Sequence, residues 1–344
     1  MLTNEALDWL QQSLAYLAVQ GAPEVNSVVG DASSRAYFRV HLGKRSFIFC
    51  LSSDVDSNKR FREVSAALEQ VGVMAPLVFA FDDERGYMLM SDMGDTLLSD
   101  VYEMNVHRQP KAIIHRALTD LIRLAQIPDP LLTLTGSYDG ALLARDFGLF
   151  EHWCLDQFLG LELSGEQQQV LVTLASLLAK GFECQPQVWV HRDFHCRNLM
   201  LTDDDVAMID FQDMVKGPVC YDLISIVYDA YWQLPHDQQA ALISDYYQQL
   251  MQSGILGDEV GVTLFQSWVA QTAMQRLLKI LGIFCRLALR DGKQQYLSDL
   301  PLVIKHVDDV IAHNLDLWPE GVVELWNETI QPALKAKLVS ETSH

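Results

Sequence analysis

The constraint that bears hardest on this chain is a change of hydrophobic period. From residue 24 to 92 the apolar residues fall in short β-type runs. From Asp95 on they recur at helical spacing, and one β-rich island, residues 188–213, interrupts the helices. A chain written this way builds a small mixed lobe and a larger helical one. The island must then supply something that helices alone do not.

Residues 1–20 read as a helix. "AYFRVHL" and "RSFIFCL" flank Gly43-Lys44 and read as a hairpin. "RFREVSAALEQVG" is an amphipathic helix ended by Gly72, and "LVFAFDD" and "GYMLMSDM" form a second strand pair. The order over 24–92 is strand, strand, helix, strand, strand. Helices are expected over roughly 107–126, 144–160, 164–182, 219–233, 235–254, 258–290 and 301–315. The segment "SDMGD" reads as a linker, which puts residues 1–92 in an N-terminal lobe and 93–344 in a C-terminal helical lobe.

The chain has 344 residues, of which 49% are hydrophobic and 20% charged, enough core for two lobes. It contains no run of 18 apolar residues, so no membrane span is expected. The acidic, amphipathic start is unlike a signal peptide. Six cysteines without a C-x-x-C pair suit reduced thiols and a cytoplasmic location. A formal net charge of −20 argues against nucleic acid or an anionic membrane as partner. Any phosphate site must therefore be locally positive or metal-neutralised. Nothing in the chain sets an oligomeric state.

The island reads "VWVHRDFHCRNLMLTDDDVAMIDFQD". Asp193 follows one β-type run, Asn198 opens the next, and Asp210 ends a third. Neighbouring strands lie about 4.8 Å apart, close enough to bring Asn198 and Asp210 together. An amide oxygen and a carboxylate are hard ligands that suit Mg²⁺. Asp193, upstream on the loop, is placed to take a proton from a hydroxyl. His191-x-Asp193, four residues, Asn198 and then Ile209-Asp210-Phe211 is the spacing of a phosphoryl-transfer catalytic loop. His191 reads as loop support. His195 reads either as a loop prop or as a substrate contact, and Asp213 either as a turn former or as a helper near the metal. "TDDD" at 202–205 reads as a solvated turn. A rival reading puts Zn²⁺ on His191, Asp193, His195 and Asp210. That reading lacks an H-E-x-x-H motif and leaves Asn198 idle.

The stretch "HRDFHCRNLM…MIDFQDMVKGPVCYDLISI" resembles the aminoglycoside phosphotransferase and choline-kinase-like superfamily. Arg192 stands where that family usually has glycine. "VVGDASSRAYFRV", "SYDGALLARDFGLFEHW" and "LLKILGIFCRLALRDGKQQYLSDLP" are similar to bacterial kinases of the anomeric hydroxyl of N-acetylmuramate and N-acetylglucosamine, which serve cell-wall sugar recycling. The likeness runs from about residue 5 to 315. It implies an α+β, protein-kinase-like two-lobed fold and an ATP- and Mg²⁺-dependent sugar kinase. It implies Asp193 as base, Asn198 and Asp210 as metal ligands, and Asp222 as the aspartate that braces the loop. The same fold could instead serve an aminoglycoside, choline, homoserine or another small alcohol, or persist as a weakly catalytic nucleotide-binding scaffold.

The small lobe departs from the kinase pattern. Its phosphate-covering loop "GDASSRAYF" has one glycine, so Ser33, Ser34 and backbone N–H groups must meet the phosphates. The lysine expected on the third strand is missing, and "FIFC" puts Cys50 or a neighbour there. Glu63 holds a plausible helix position without a lysine partner, and Arg35 or Arg39 could supply the charge. The adenine is expected by Met90–Met93, which brings in Met90 and Asp92. On the acceptor side, Tyr138 and Asp139 could bond sugar hydroxyls, and Arg145 could pair with a carboxylate. Arg286 and Arg290, at i and i+4, share a helix face and read as a solvated face or as a pocket edge for an anionic acceptor. His195 and Arg197 complete the acceptor candidates.

Overall fold

The structure, a computed structural model, describes residues 2–17, 21–28, 35–104, 110–129, 133, 135–202 and 205–341. The chain divides into two compact units. The first holds Met1–Gly136 and Arg197–Met214, and the second Ser137–Cys196 and Val215–His344. The first unit thus runs past the change of texture at 92–95 and takes in part of the β island.

In the first unit, helix α1 (Asn4–Tyr16) opens where the Thr3 hydroxyl accepts from the Ala6 N–H at 3.2 Å. An antiparallel sheet follows, in the order β1 (Glu24–Val28), β2 (Ala36–Leu42), β3 (Arg45–Leu51), β5 (Tyr87–Ser91), β4 (Val78–Asp82). That is one strand more than the count read from the sequence. The additional strand, "EVNSV", is a polar edge with little apolar alternation to announce it. The β2–β3 turn is tight, with Leu42 opposite Arg45 and Gly43 at φ +64°, a conformation that suits glycine.

The period of two gives the sheet two different faces. One face carries Val40, Leu42, Phe47, Phe49, Tyr87 and Leu89, packed against Ala6, Leu10 and Leu14 of α1. The other presents Tyr37, Cys50 and Met88 in one cross-strand row and Arg39, Ile48 and Met90 in the next. Helix α2 (Val55–Gln70) is buried at Asn58, Phe61, Val64, Ser65 and Leu68, a helical stripe. Helices α3 (Leu98–Met104) and α4 (Pro110–Ala125) follow. The unit also contains the hairpin β7 (Leu199–Leu201) and β8 (Val206–Met208), in register Leu199↔Met208. A bridge from Leu97 to Met200, and the Met208 N–H on the Met74 carbonyl at 2.9 Å, fasten that hairpin to the unit.

The second unit is built around helix α9 (Val262–Leu289), which is buried almost all round from Trp268 to Leu281. Helix α5 (Gly140–Leu149) runs on into a π-helical segment, Phe150–Phe158, and α6 (Gly165–Glu183) starts with a capping box between Ser164 and Gln167. Strand β6 (Gln187–Val190) pairs with β9 (Val215–Pro218), a strand disguised in sequence by its glycine and proline. A Cβ on Gly217 would come within 2.7 Å of Val190, so glycine lets the strands close. Then come α7 (Tyr221–Val227), α8 (His236–Gln252) and α10 (Leu300–Ala312). The chain ends with α11 (Val322–Glu324), a π-helical turn and α12 (Gln331–Glu341). Sequence analysis gave no helix there, because Pro332 and weak amphipathicity obscure it.

Candidate active site

In the second unit, β6 delivers His191 into a loop that the buried Asp222 carboxylate organises. Asp222 accepts from the His191 N–H at 2.6 Å and from the Arg192 N–H at 3.0 Å. With those donors fixed, Arg192 sits at φ +76°, the left-handed conformation in which glycine is strain-free. That accounts for the glycine usual in the family. Here arginine tolerates the strain, and its guanidinium lies over the Tyr138 ring, 5.9 Å from the centroid. The Asp193 N–H then meets His191 Nδ1 at 3.3 Å, so His191 props the loop. Asp229, also buried, accepts from the Cys196 N–H at 2.8 Å and the Tyr231 N–H at 2.9 Å, which anchors the far end of the loop.

Two buried cations of α9 stand near Asp193. Arg276 donates from Nε to the Ser225 hydroxyl at 2.7 Å. Lys279 donates to the Tyr221 hydroxyl at 3.0 Å and pairs with Asp146 at 3.4 Å. Burial pushes the Asp193 carboxyl up, but the charges of Lys279, His195, Arg276 and His191 outweigh it and hold it at about 2. Burial works against the Lys279 charge too, yet Tyr221, Asp193 and Asp146 keep it above the ordinary lysine value. These cations lie inside the apolar run "MQRLLKILG", and a charge at a core position was the signal that sequence reading could have used. His195 stacks edge-on against Tyr231, with ring centroids 5.3 Å apart, and burial lowers its pKa below the ordinary value.

In the first unit, the Ile209 N–H donates to the Asn198 carbonyl at 3.0 Å, which extends the β7–β8 ladder by one pair. Asn198 and Asp210 therefore lie at the open end of one hairpin, as their spacing predicted. Asp210 sits at φ +62°, and its carboxylate accepts from the Gln212 amide at 2.8 Å. A hard amide and a carboxylate fit a Mg²⁺ that takes its remaining oxygens from water and phosphate. Among the described residues no three His, Cys, Asp or Glu side chains group as a metal site, so the Zn²⁺ alternative has no ligand set. Arg197, in the short turn Cys196–Asn198, is exposed.

The residues expected around the nucleotide divide. Ser33 and Ser34 lie outside the described residues. Arg39 joins the segment after β5: it pairs with Asp92 at 2.7 Å and with Asp95, and donates to the Gly94 carbonyl at 2.9 Å. Met90 lies in the same cross-strand row as Arg39. Glu63 accepts from the backbone and hydroxyl of Thr133, the latter at 2.7 Å. Arg35 reaches α2, where it donates to the Ser57 hydroxyl at 2.8 Å.

The acceptor candidates also separate. Tyr138 is buried and donates its hydroxyl to Asp146 while accepting from the Gln275 amide at 3.2 Å. Asp139 caps α5 by accepting from the Leu142 N–H at 2.9 Å. Arg145 is exposed and stands 3.6 Å from Asp146. Arg290 is matched to Asp291 at 2.7 Å. Arg286 is half-buried, with its Nε unpartnered, and burial together with the neighbouring Arg290 lowers its pKa.

Comparison with known proteins bears on the family and the fold. A curated N-acetylmuramate/N-acetylglucosamine kinase of Pseudomonas putida is 33% identical over 298 residues, 86% of each chain. A protein of the same name from Neisseria meningitidis serogroup B is 30% identical over 299 residues, 86% of this chain and 88% of its own. Among solved structures, an ADP-bound aminoglycoside phosphotransferase matches with a TM-score of 0.60 at 14% identity, covering 90% of this chain and 99% of its own. A Plasmodium vivax ethanolamine kinase matches with a TM-score of 0.57 at 13% identity, over 83% and 82%. The fold is therefore the expected protein-kinase-like one. Residues 24–254 match the family model described as the phosphotransferase enzyme family, and the chain belongs to that family.

Proposed function

We propose that this enzyme transfers the γ-phosphoryl group of ATP to the anomeric hydroxyl of N-acetylmuramate or N-acetylglucosamine, in the cytoplasm, as a step of cell-wall sugar recycling. The observation that carries the reading is the 30–33% identity, over more than four-fifths of the chain, to kinases named for those two sugars. No aminoglycoside, choline or homoserine kinase matches at that level among these relatives. The six free thiols fit a reducing compartment. No helix among the described residues is long and apolar enough to cross a membrane.

In this reading Asp193 accepts the proton of the sugar hydroxyl. A carboxylate held at about 2 is a weak base. An anomeric hydroxyl is more acidic than an ordinary alcohol, so it asks less of that base, and a loose phosphoryl-transfer transition state asks little deprotonation of the nucleophile. Asn198 and Asp210 would hold Mg²⁺, which neutralises charge on the phosphates of ATP. Asp222, His191 and Asp229 position the loop. Met90 and Asp92 lie on the nucleotide side. His195, Arg197, Arg145 and Arg286 remain acceptor candidates.

The test offers radiolabelled ATP with N-acetylmuramate, N-acetylglucosamine and kanamycin in turn. An acid-labile sugar phosphate is expected from the first two and no transfer to kanamycin. Asp193→Asn should lower kcat by about 10²–10⁴-fold and leave nucleotide binding in place. A wild-type-like kcat in that variant would remove Asp193 from the role of base.

A further inference from the structure

We propose that Arg192 and Tyr138 are positioning residues of the phosphoryl transfer: the guanidinium stacked on the tyrosine ring holds the catalytic loop in its left-handed turn and so aims Asp193. The inference rests on the kinase reading above for the reaction that the pair serves. Arg192 immediately precedes Asp193, so its backbone angles set the direction in which the Asp193 carboxylate leaves the loop. At φ +76° those angles cost an arginine more than they cost a glycine. A residue kept in such a conformation must be held there by its surroundings.

The Asp222 carboxylate supplies the backbone half of that hold, accepting from the Arg192 N–H at 3.0 Å. Tyr138 supplies the side-chain half. The guanidinium carbon lies 5.9 Å from the Tyr138 ring centroid, within the range of a cation–π contact. The ring beneath it is fixed from several sides. The Tyr138 N–H donates to the Lys216 carbonyl at 2.6 Å, which ties the residue to β9. Phe182 and Tyr221 pack against the ring, with centroids 5.5 Å and 5.2 Å away. The hydroxyl donates to the buried Asp146 and accepts from the Gln275 amide at 3.2 Å. Asp146 is held in turn by Lys279 at 3.4 Å, and Lys279 donates to the Tyr221 hydroxyl at 3.0 Å. A phenol whose proton is drawn toward a carboxylate has a more electron-rich ring, and this strengthens its attraction for the cation above it. Burial works against the Arg192 charge, yet Tyr221, Asp193, Tyr138 and Asp146 hold its pKa above the ordinary arginine value. The glycine usual in the family would remove the strain, and with it the side chain that grips the ring. All of these groups lie in the second unit.

The experiment combines hydrogen exchange of the loop peptide 188–196, read by mass spectrometry, with steady-state kinetics on Tyr138→Leu, Arg192→Gly and the double variant. Tyr138→Leu should speed exchange of the loop amides and lower kcat by about tenfold or more, with the sugar KM within about twofold. Arg192→Gly should lower kcat by a similar factor and keep Tm within a few degrees, because the strain goes together with the stack. In the double variant the two losses should not multiply: kcat should stay within about threefold of the slower single variant, since each change removes the same contact. Losses that multiply overturn the proposal, because Tyr138 would then act on the loop by a route other than Arg192. Unchanged loop exchange in Tyr138→Leu overturns it too, and so does a raised sugar KM at wild-type kcat, the mark of a direct sugar contact. If Tyr138→Leu does not fold, Tyr138→Phe decides. It keeps the ring and loses the tie to Asp146, so loop exchange should quicken in the wild-type background and not in the Arg192→Gly background. The exchange measurement needs neither ATP nor acceptor. Failure of the wild-type protein to phosphorylate any sugar would therefore count against the proposed function and leave the loop result standing.

Discussion

Asp193 is a carboxylate kept ionised by its neighbours, and the first of these is Lys279. Its depressed pKa adds stability above the unfolded carboxylate value of about 3.9, and that stability is lost as pH falls through about 2. Lys279→Met removes the largest charge that opposes burial, so the Asp193 pKa must rise. The acid limb of kcat/KM should then move to higher pH in Lys279→Met, and acid unfolding should begin earlier. A pH–rate profile superimposable on the wild type would show that Lys279 does not set the acidity of Asp193. The hairpin that sets Asn198 and Asp210 at one end was legible in the sequence, because it is carried by local spacing. The Asp146–Lys279 pair and the Asp229 clamp were not, because their members come together across 133 and 33 residues of chain. Tyr138 and Asp139 look like sugar-binding residue types. In the fold, however, one bonds Asp146 and the other caps α5, and side-chain type alone cannot separate those uses.

Among the elements, α9 carries the most structure in the second unit, and its position depends on one glycine. A Cβ at Gly282 would stand 2.4 Å from the Leu149 carbonyl carbon and 2.5 Å from the Phe150 nitrogen, where α5 passes into the π-helical segment. Those are backbone atoms and cannot swing aside. Gly282→Ala should therefore destabilise the protein by about 1–3 kcal/mol or more, although alanine is the better helix former by about 1 kcal/mol. Urea denaturation checks this, with Gly136→Ala as the control, since nothing lies within 4 Å of a Cβ there. An equal or higher midpoint for Gly282→Ala would mean that the helices can separate freely. Periodicity found α9 because its apolar positions run for many turns. It could not show that Gly282 marks a crossing, since a glycine within a long helix looks the same in sequence whether or not another backbone lies against it. β1 and β9 escaped for a related reason. Each is short and polar or interrupted by glycine and proline, and their pairing comes from the partner strand.

At the scale of the whole molecule, a formal charge of −20 meets, in the proposed reaction, a nucleotide that is itself anionic. The net field repels ATP over distances set by the ionic strength, and at 0.01 M salt the screening length is about 30 Å. Close to a phosphate site, local cations act at contact range, where salt screens them less. The two contributions therefore respond differently to added salt. Raising ionic strength from about 0.01 M to 0.1 M shortens the screening length to about 10 Å, which removes most of the long-range repulsion and little of the contact attraction. The association rate constant for a fluorescent ATP analogue, measured by stopped flow, should rise over that interval, and the dissociation rate constant should change less. This is the reverse of the steering seen where a cleft and its ligand have opposite charge. A falling association rate would mean that the cations at the nucleotide site dominate the field at long range, despite the charge of the chain as a whole.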